Sequence, residues 1–299
     1  NIYITGSNAK MLSREIATTL GGRFWNKDIY PYSFAEYLNA RDIILSKNWM
    51  YGKQAAEVSK AFNDYFLYGG FPELTDVIAK RVWLNDIYSK IFFSDLIVRN
   101  KVRNEEALGL LVRRLAENVK QPVSYTRLAN LISSIGIKIS KATVIEFIRY
   151  LKESCLIFPI ENYAAKFAER NSNMKHYFID NGLLSIFLLD GNTSLLENIV
   201  AIHLYKRYGA QLYFYNQNIE VDFVIPEAKT AIQVSYSLMD ETTCRREVEG
   251  LIKLNRVFPM DNMCIITRDE ERIITHESGV SIHVIPVWKW LLKEEPLRT

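Results

Sequence analysis

Two carboxylates and an amide, Glu197, Asp222 and Gln233, fall within one stretch of the chain, Leu195 to Tyr236. Carboxylate oxygens are the hard ligands that Mg2+ takes, and two of them brought together could hold one such ion with water in its remaining positions. Each acid also has an ordinary reading. Asp222 falls on the polar side of an alternating strand, the side that usually faces solvent. Glu197 stands in what reads as the first turn of a helix, where the macrodipole favours an acid. Taken by themselves, the residues favour the ordinary reading.

The elements that must position these groups are legible. Leu196, Ile199, Val200, His203 and Leu204 recur at helical spacing and predict a helix from Leu195 to about Tyr208. The aromatic run Leu212–Tyr215 reads as a strand, followed by a polar turn at Asn216–Asn218. In Ile219–Ile225, Val221, Phe223 and Ile225 alternate with Glu220, Asp222 and Val224, a second strand. A turn at Pro226–Lys229 leads to a third strand, Ala231–Tyr236.

This order resembles the PD-(D/E)XK nuclease-like fold. The resemblance implies that a helical Glu, an Asp on the second strand and an E-x-K or Q-x-K on the third converge on a divalent metal. A lysine there helps activate the attacking water. Gln233-Val234-Ser235 follows Asp222 by eleven residues, so Gln233 fits while Ser235 stands where the lysine belongs. Lys229 and Arg246 are candidate migrated cations. The implied site is Glu197, Asp222 and Gln233, with Mg2+ on Glu197 and Asp222, real in shape and chemically incomplete.

At 299 residues, two or three domains are the natural expectation. Hydrophobic residues at 48% and charged residues at 24% are in proportions usual for a soluble globular protein. There is no apolar run long enough to cross a membrane and no secretory leader pattern, so no membrane partner is expected. Cys155, Cys244 and Cys264 are scattered and odd in number, which points to a reducing, cytoplasmic compartment and away from a disulfide framework or zinc site.

The chain opens on a strand-like run, Asn1–Thr5, then a short helix, Met11–Leu20, closed by Gly21-Gly22. The segments ITGSN, SREIATTLGGR and YPYSFAEYL, with YGGFPEL, KHYFIDNGL, LLEN and EVDFVI, resemble a family of prokaryotic AAA-type ATPases. Members carry a winged-helix segment and a nuclease-like C-terminal domain. The resemblance implies that Asn8 is the polar sensor that orients the attacking water and that Arg23 reaches nucleotide phosphates. By residues alone, Ser7 could cap the following helix and Arg23 could be a surface group. No G-x-x-x-x-G-K-[ST] occurs in the sequence. The expectation is a fragment of a longer ATPase whose phosphate loop lies upstream. ATP and Mg2+ would serve the full-length protein, and this chain would not hydrolyse ATP by itself.

From Glu36 to Arg99 the pattern is helical, interrupted at Gly69-Gly70-Phe71-Pro72 and resuming over Trp83–Val98. The resemblance makes this a helical lid. Residues 99–170 then carry thirteen Lys and Arg against seven Asp and Glu, although the whole chain is only +3. Positive charge so concentrated is what a nucleic-acid contact needs. Helices over Glu105–Val119, Thr126–Ile135 and Lys141–Ser154, a short strand at Pro122–Tyr125, and strands at Leu156–Asn162 and Lys175–Asp180 read as a winged helix. Lys141 would begin the groove-reading helix, and Lys138, Lys141, Arg149, Lys166 and Arg170 would contact DNA phosphates. Glu146 on that helix argues instead for a protein partner.

The expected architecture is therefore α/β and multidomain. Residues 1–98 would be the end of an AAA core with its lid, 99–180 a winged helix and 181–299 a PD-(D/E)XK-like α/β domain. The expected function is a nucleic-acid-associated ATPase fragment. The alternatives are an ATP-dependent protein-interaction module and an active Mg-dependent deoxyribonuclease.

Overall fold

The computed structural model describes Trp25, residues 27–166, Arg170 and residues 173–293. Asn8 and Arg23, with the strand and helix expected before them, lie outside the described residues. The architecture is α/β: ten α-helices and a nine-stranded mixed sheet among the described residues.

Helices lead. α1 is Phe34–Ala40, opened by a capping box in which Ser33 Oγ accepts from the Glu36 amide while Glu36 accepts from that of Ser33. α2, Lys53–Tyr68, buries Val58, Ala61, Phe62, Tyr65 and Phe66 and ends at Gly69, whose φ of 78° suits a residue without Cβ. α3, Lys80–Lys90, runs on through a wider π-type turn over Ile91–Val98.

The next six elements are α4 (Glu105–Glu117), β1 (Val123–Ser124), α5 (Tyr125–Ser134), α6 (Lys141–Glu153), β2 (Ile157–Asn162) and β3 (Asn173–Phe178). Ser140 caps α6 by accepting from the Thr143 amide. Then come α7 (Asn181–Ser185), α8 (Asn192–Tyr208), β4 (Tyr213–Asn216), β5 (Glu220–Ile225), β6 (Thr230–Val234), α9 (Glu241–Val257), β7 (Asn262–Thr267), β8 (Arg272–Thr275), β9 (Ser281–Pro286) and α10 (Val287–Lys293).

The strand order is β1-β3-β2-β4-β5-β6-β7-β9-β8. The hairpin β2/β3 does not stand apart, because β2 pairs in parallel with β4. Asn162 fastens that junction: its Nδ2 donates to the Asn216 carbonyl at 2.6 Å and its Oδ1 accepts from the Asn216 amide at 3.0 Å.

Two cores flank the sheet. One packs α8 and α10 with the helices of the first half, and the other lies under α9. β5 is sandwiched between them, so every residue from Val221 to Ile225 is buried. The solvent-facing side expected for Asp222 therefore does not exist. The strict alternation also fails. β5 has one more residue between Val221 and Val224 than β4 has between Tyr213 and Tyr215. A bulge of this kind re-aims side chains. Val221 and Val224 enter the α9 core, whereas Phe223 and Ile225 enter the α8 core.

Candidate functional site

Glu197 is the sixth residue of α8, since that helix begins at Asn192 and not at Leu195. It is thus a second-turn residue, and helix-end charge does not explain it. Its carboxylate is buried, as is that of Asp222, and one group lies between them: the ammonium of Lys175, from β3. Nζ stands 3.2 Å from Glu197 Oε1 and 3.1 Å from Asp222 Oδ1, and Glu220 Oε1 is 3.4 Å away. Lys175 is fully buried, with its Nζ 5.6 Å from the centre of the Phe214 ring.

Lys175 and Tyr177 are two apart in a strand and so share a face. The Tyr177 hydroxyl donates to Glu197 Oε1 at 2.6 Å. The other oxygen of Asp222 accepts from the Val234 amide at 2.9 Å. Gln233 does not join the cation. Its Oε1 accepts from the Asp222 amide and its Nε2 donates to the Glu220 carbonyl, so its side chain clamps β5 to β6 where the backbone ladder has ended. α9 fits over this clamp through Gly250, where a Cβ would come within 3.0 Å of Gln233 Nε2.

Burial alone would pull the Lys175 ammonium down, but the carboxylates of Glu197, Asp222 and Glu220 outweigh it and hold the group above its ordinary value. Glu197 is pushed up to about 7 by burial and then by the Asp222 carboxylate, against the bonds from Lys175 and Tyr177. Burial, and after it the same carboxylates, raise the Tyr177 phenol well above its usual value. The cluster is thus a lysine kept charged by acids, with a phenol that only donates.

A divalent ion shared by Glu197 and Asp222 would need the point that Lys175 Nζ takes. Among the described residues, no group of three or more His, Cys, Asp or Glu side chains is placed to hold a metal ion. The donor set does not fit the implied Mg2+. Ser235 is tied to the Ser237 carbonyl, Lys229 pairs with Asp261 at the surface, and Arg246 pairs with its neighbour Glu247. Lys175, Tyr177 and Glu220 were not among the expected site residues. A lysine inside the apolar run Met174–Phe178 is the signal that could have found the first two.

The same strand and helix build a second polar network on their far side. Asp180 accepts from the amides of Gly70 (2.7 Å) and Gly182 (2.8 Å), and burial pushes its carboxyl up to about 6 against those donors. Asn198 binds both the amide and carbonyl of Phe178, and donates to Asn181. Asn181 in turn donates to the carbonyls of Phe66 and Leu195. YGGFPEL, KHYFIDNGL and LLEN meet here, and KHYFIDNGL, LLEN and EVDFVI meet at Lys175.

The expected DNA-contacting residues fall at two places: Lys138, Lys141 and Arg149 at and before α6, Lys166 and Arg170 in the loop after β2. Lys138, Lys141 and Lys166 are exposed. Arg149 is exposed but lies 3.7 Å from Glu146, whose carboxylate also accepts from Tyr150. Arg170 is committed to its own loop, donating to the carbonyls of Ala165 and Tyr163.

Residues 59–194 match a family described as a domain of unknown function (DUF8612). Residues 1–38 match one described as an AAA domain, which relates the chain to AAA-type ATPases. An uncharacterized protein of Methanocaldococcus jannaschii, MJ1544, is 33% identical over 98% of this chain and 69% of its own length. An uncharacterized protein of Haemophilus influenzae is 31% identical over 85% of this chain and 63% of its own length. No solved structure matches the chain.

Proposed function

The chain belongs to the same family as the Methanocaldococcus jannaschii protein, and from that premise we propose that it is part of a nucleic-acid-associated AAA-type ATPase. In this reading residues 1–98 are the end of the ATPase core and its helical lid, 99–180 a DNA-binding winged helix, and 181–299 a nuclease-like domain that does not cut. Asn8 and Arg23 would serve the nucleotide, so Asn8→Ala in the full-length protein should impair hydrolysis more than ATP binding.

The observation that carries the reading is the order α4-β1-α5-α6-β2-β3 with the outer face of α6 exposed. Lys141, Ile145 and Arg149 lie four residues apart along that face, and Lys138 stands at its approach. Phosphate contacts would come from Lys138, Lys141 and Lys166, with Arg149 contributing once Glu146 releases it. Arg170, held by loop carbonyls, would shape the wing rather than touch DNA.

Anisotropy with labelled duplex DNA over a salt series tests this. Removing one lysine that meets a phosphate should lower the log–log salt slope by about 0.9. Lys138→Glu with Lys141→Glu should weaken binding to unrelated sequences alike. Unchanged binding in that variant would refute the assignment. Plasmid cleavage in Mg2+ or Mn2+ that Asp222→Ala abolishes would make the domain an active deoxyribonuclease.

A protein partner is the second reading. Leu131, Ile135 and Ile145, exposed by 37%, 53% and 46%, lie on α5, its end and α6, and Glu146 is acidic where a groove-facing helix prefers no acid. Absence of DNA binding, with Ile145→Asp disrupting a recovered protein complex, would favour it.

A further inference from the structure

We infer that the Lys175 ammonium is the permanent cation of the acidic centre at Glu197, Asp222 and Glu220, occupying the place that a nuclease-like fold gives to a divalent metal. This assignment rests on the nuclease-like reading of residues 181–299, which Lys175 enters from β3, and holds whether the α6 face meets DNA or protein.

The geometry carries it. An ammonium has three N–H donors, and three carboxylates surround this one at 3.1 to 3.4 Å. The oxygens it faces on Glu197 and Asp222 are those a shared metal would need. Both oxygens of Asp222 already accept, one from Lys175 and one from Val234, and Glu197 Oε1 takes Tyr177 as well as Lys175. The lysine is also fixed from behind. β3 is paired along one edge with β1 and along the other with β2, so the backbone at Lys175 cannot withdraw without opening the sheet. The ammonium itself has no exposed surface, with the Phe214 ring beside it and the half-exposed Glu220 carboxylate on its outer side.

Burying a carboxylate pair without a countercharge is costly, and a nuclease meets that cost with metal. Here a side chain meets it from β3, on the hairpin beyond the strands that carry the acids. The substitution has two effects. The carboxylates are compensated without any metal, and the point between Glu197 and Asp222 where a metal would be held is filled. Family resemblance places a cation here, and the missing lysine at Ser235 does not need a replacement on the same strands.

Three measurements test the assignment on the whole chain. Titration with Mn2+ followed by electron paramagnetic resonance should show no saturable binding by wild type at millimolar metal. Its melting midpoint should be equal in chelator and in Mn2+. Saturable Mn2+ binding by wild type that Asp222→Asn removes would overturn the inference. Lys175→Ala should melt lower than wild type and recover part of that stability in Mn2+, which would now enter the vacated place. A Lys175→Ala protein as stable as wild type would also overturn it. Where that variant does not fold, Lys175→Met combined with Glu197→Gln and Asp222→Asn decides. Removing the cation with both buried acids should restore folding that Lys175→Met alone loses, and no restoration would count against the charge role.

Discussion

At the scale of single residues, Glu197 titrates against the fold. Glu197 sits at about 7 in the folded chain against an ordinary 4.5, so between those values the folded chain holds a proton that the unfolded one has released. Its contribution to stability is greatest below about pH 4.5 and falls as pH rises toward 7. His176 and His203, pulled down to about 4 by burial, slope the other way. The readable quantity is therefore the difference between wild type and Glu197→Gln. That difference in urea midpoint should shift in favour of the variant from about pH 5 to about pH 7.5. Tyr177→Phe removes the 2.6 Å bond to Glu197 and leaves a buried acceptor short of one donor, which should cost about 1–3 kcal/mol by denaturant unfolding. Periodicity made the helix of Glu197 and the strand of Asp222 legible. The cation between them was not, because Lys175 lies 47 residues before Asp222 and belongs to a hairpin that spacing arguments assign to another unit.

Among the elements, the tightest approaches are where the glycines of YGGFPEL and KHYFIDNGL cross. A Cβ on Gly182 would come within 2.2 Å of the Tyr68 carbonyl oxygen, and one on Gly69 within 1.9 Å of Asp180 Oδ1. Gly182→Ala and Gly69→Ala should each cost about 3 kcal/mol or more in denaturant unfolding, because neither backbone nor buried carboxylate can give way. Gly136→Ala is the control: its φ is 93° but nothing lies within 4 Å, so only backbone strain of about 1–2 kcal/mol is expected. Between Glu105 and Tyr236, helix and strand bounds followed from apolar spacing and caps to within a few residues, whereas α9, β7, β8, β9 and α10 were not read from the sequence. Two further features escaped it. Burial of β5 on both faces depends on α8 and α9 arriving from elsewhere, and the bulge opposite Tyr213–Tyr215 inserts a residue that no alternating pattern announces.

Across the whole molecule, the β2/β4 pairing joins hairpin and C-terminal strands into one sheet, and a single apolar cluster extends from Phe34 on α1 to Leu291 on α10. Calorimetry of this chain should therefore show one cooperative transition for residues 34–293, with no separately melting winged helix. α10 helps close that cluster: Trp290 packs on His203 with ring centres 4.7 Å apart, and Trp288 meets Trp49 at 5.7 Å. Trp290→Ala should lower stability by about 3–5 kcal/mol in the same experiment. Chain length suggested several units and could not indicate that one sheet runs through them, because strand pairing between distant segments leaves no local mark. Lys175 gives that single sheet a history in time. On the ribosome it emerges first, and Asp222 follows 47 residues later. At about 5–20 residues per second, the wait is roughly 2–10 seconds. Glu197 arrives 22 residues after Lys175, so for that interval the β2/β3 hairpin carries a charge with at most one of its two buried acids present, and cannot settle fully against the rest. Hairpin closure and carboxylate capture are thus separate events in biosynthesis, and a nascent chain halted before β5 should remain open to proteolysis at β3.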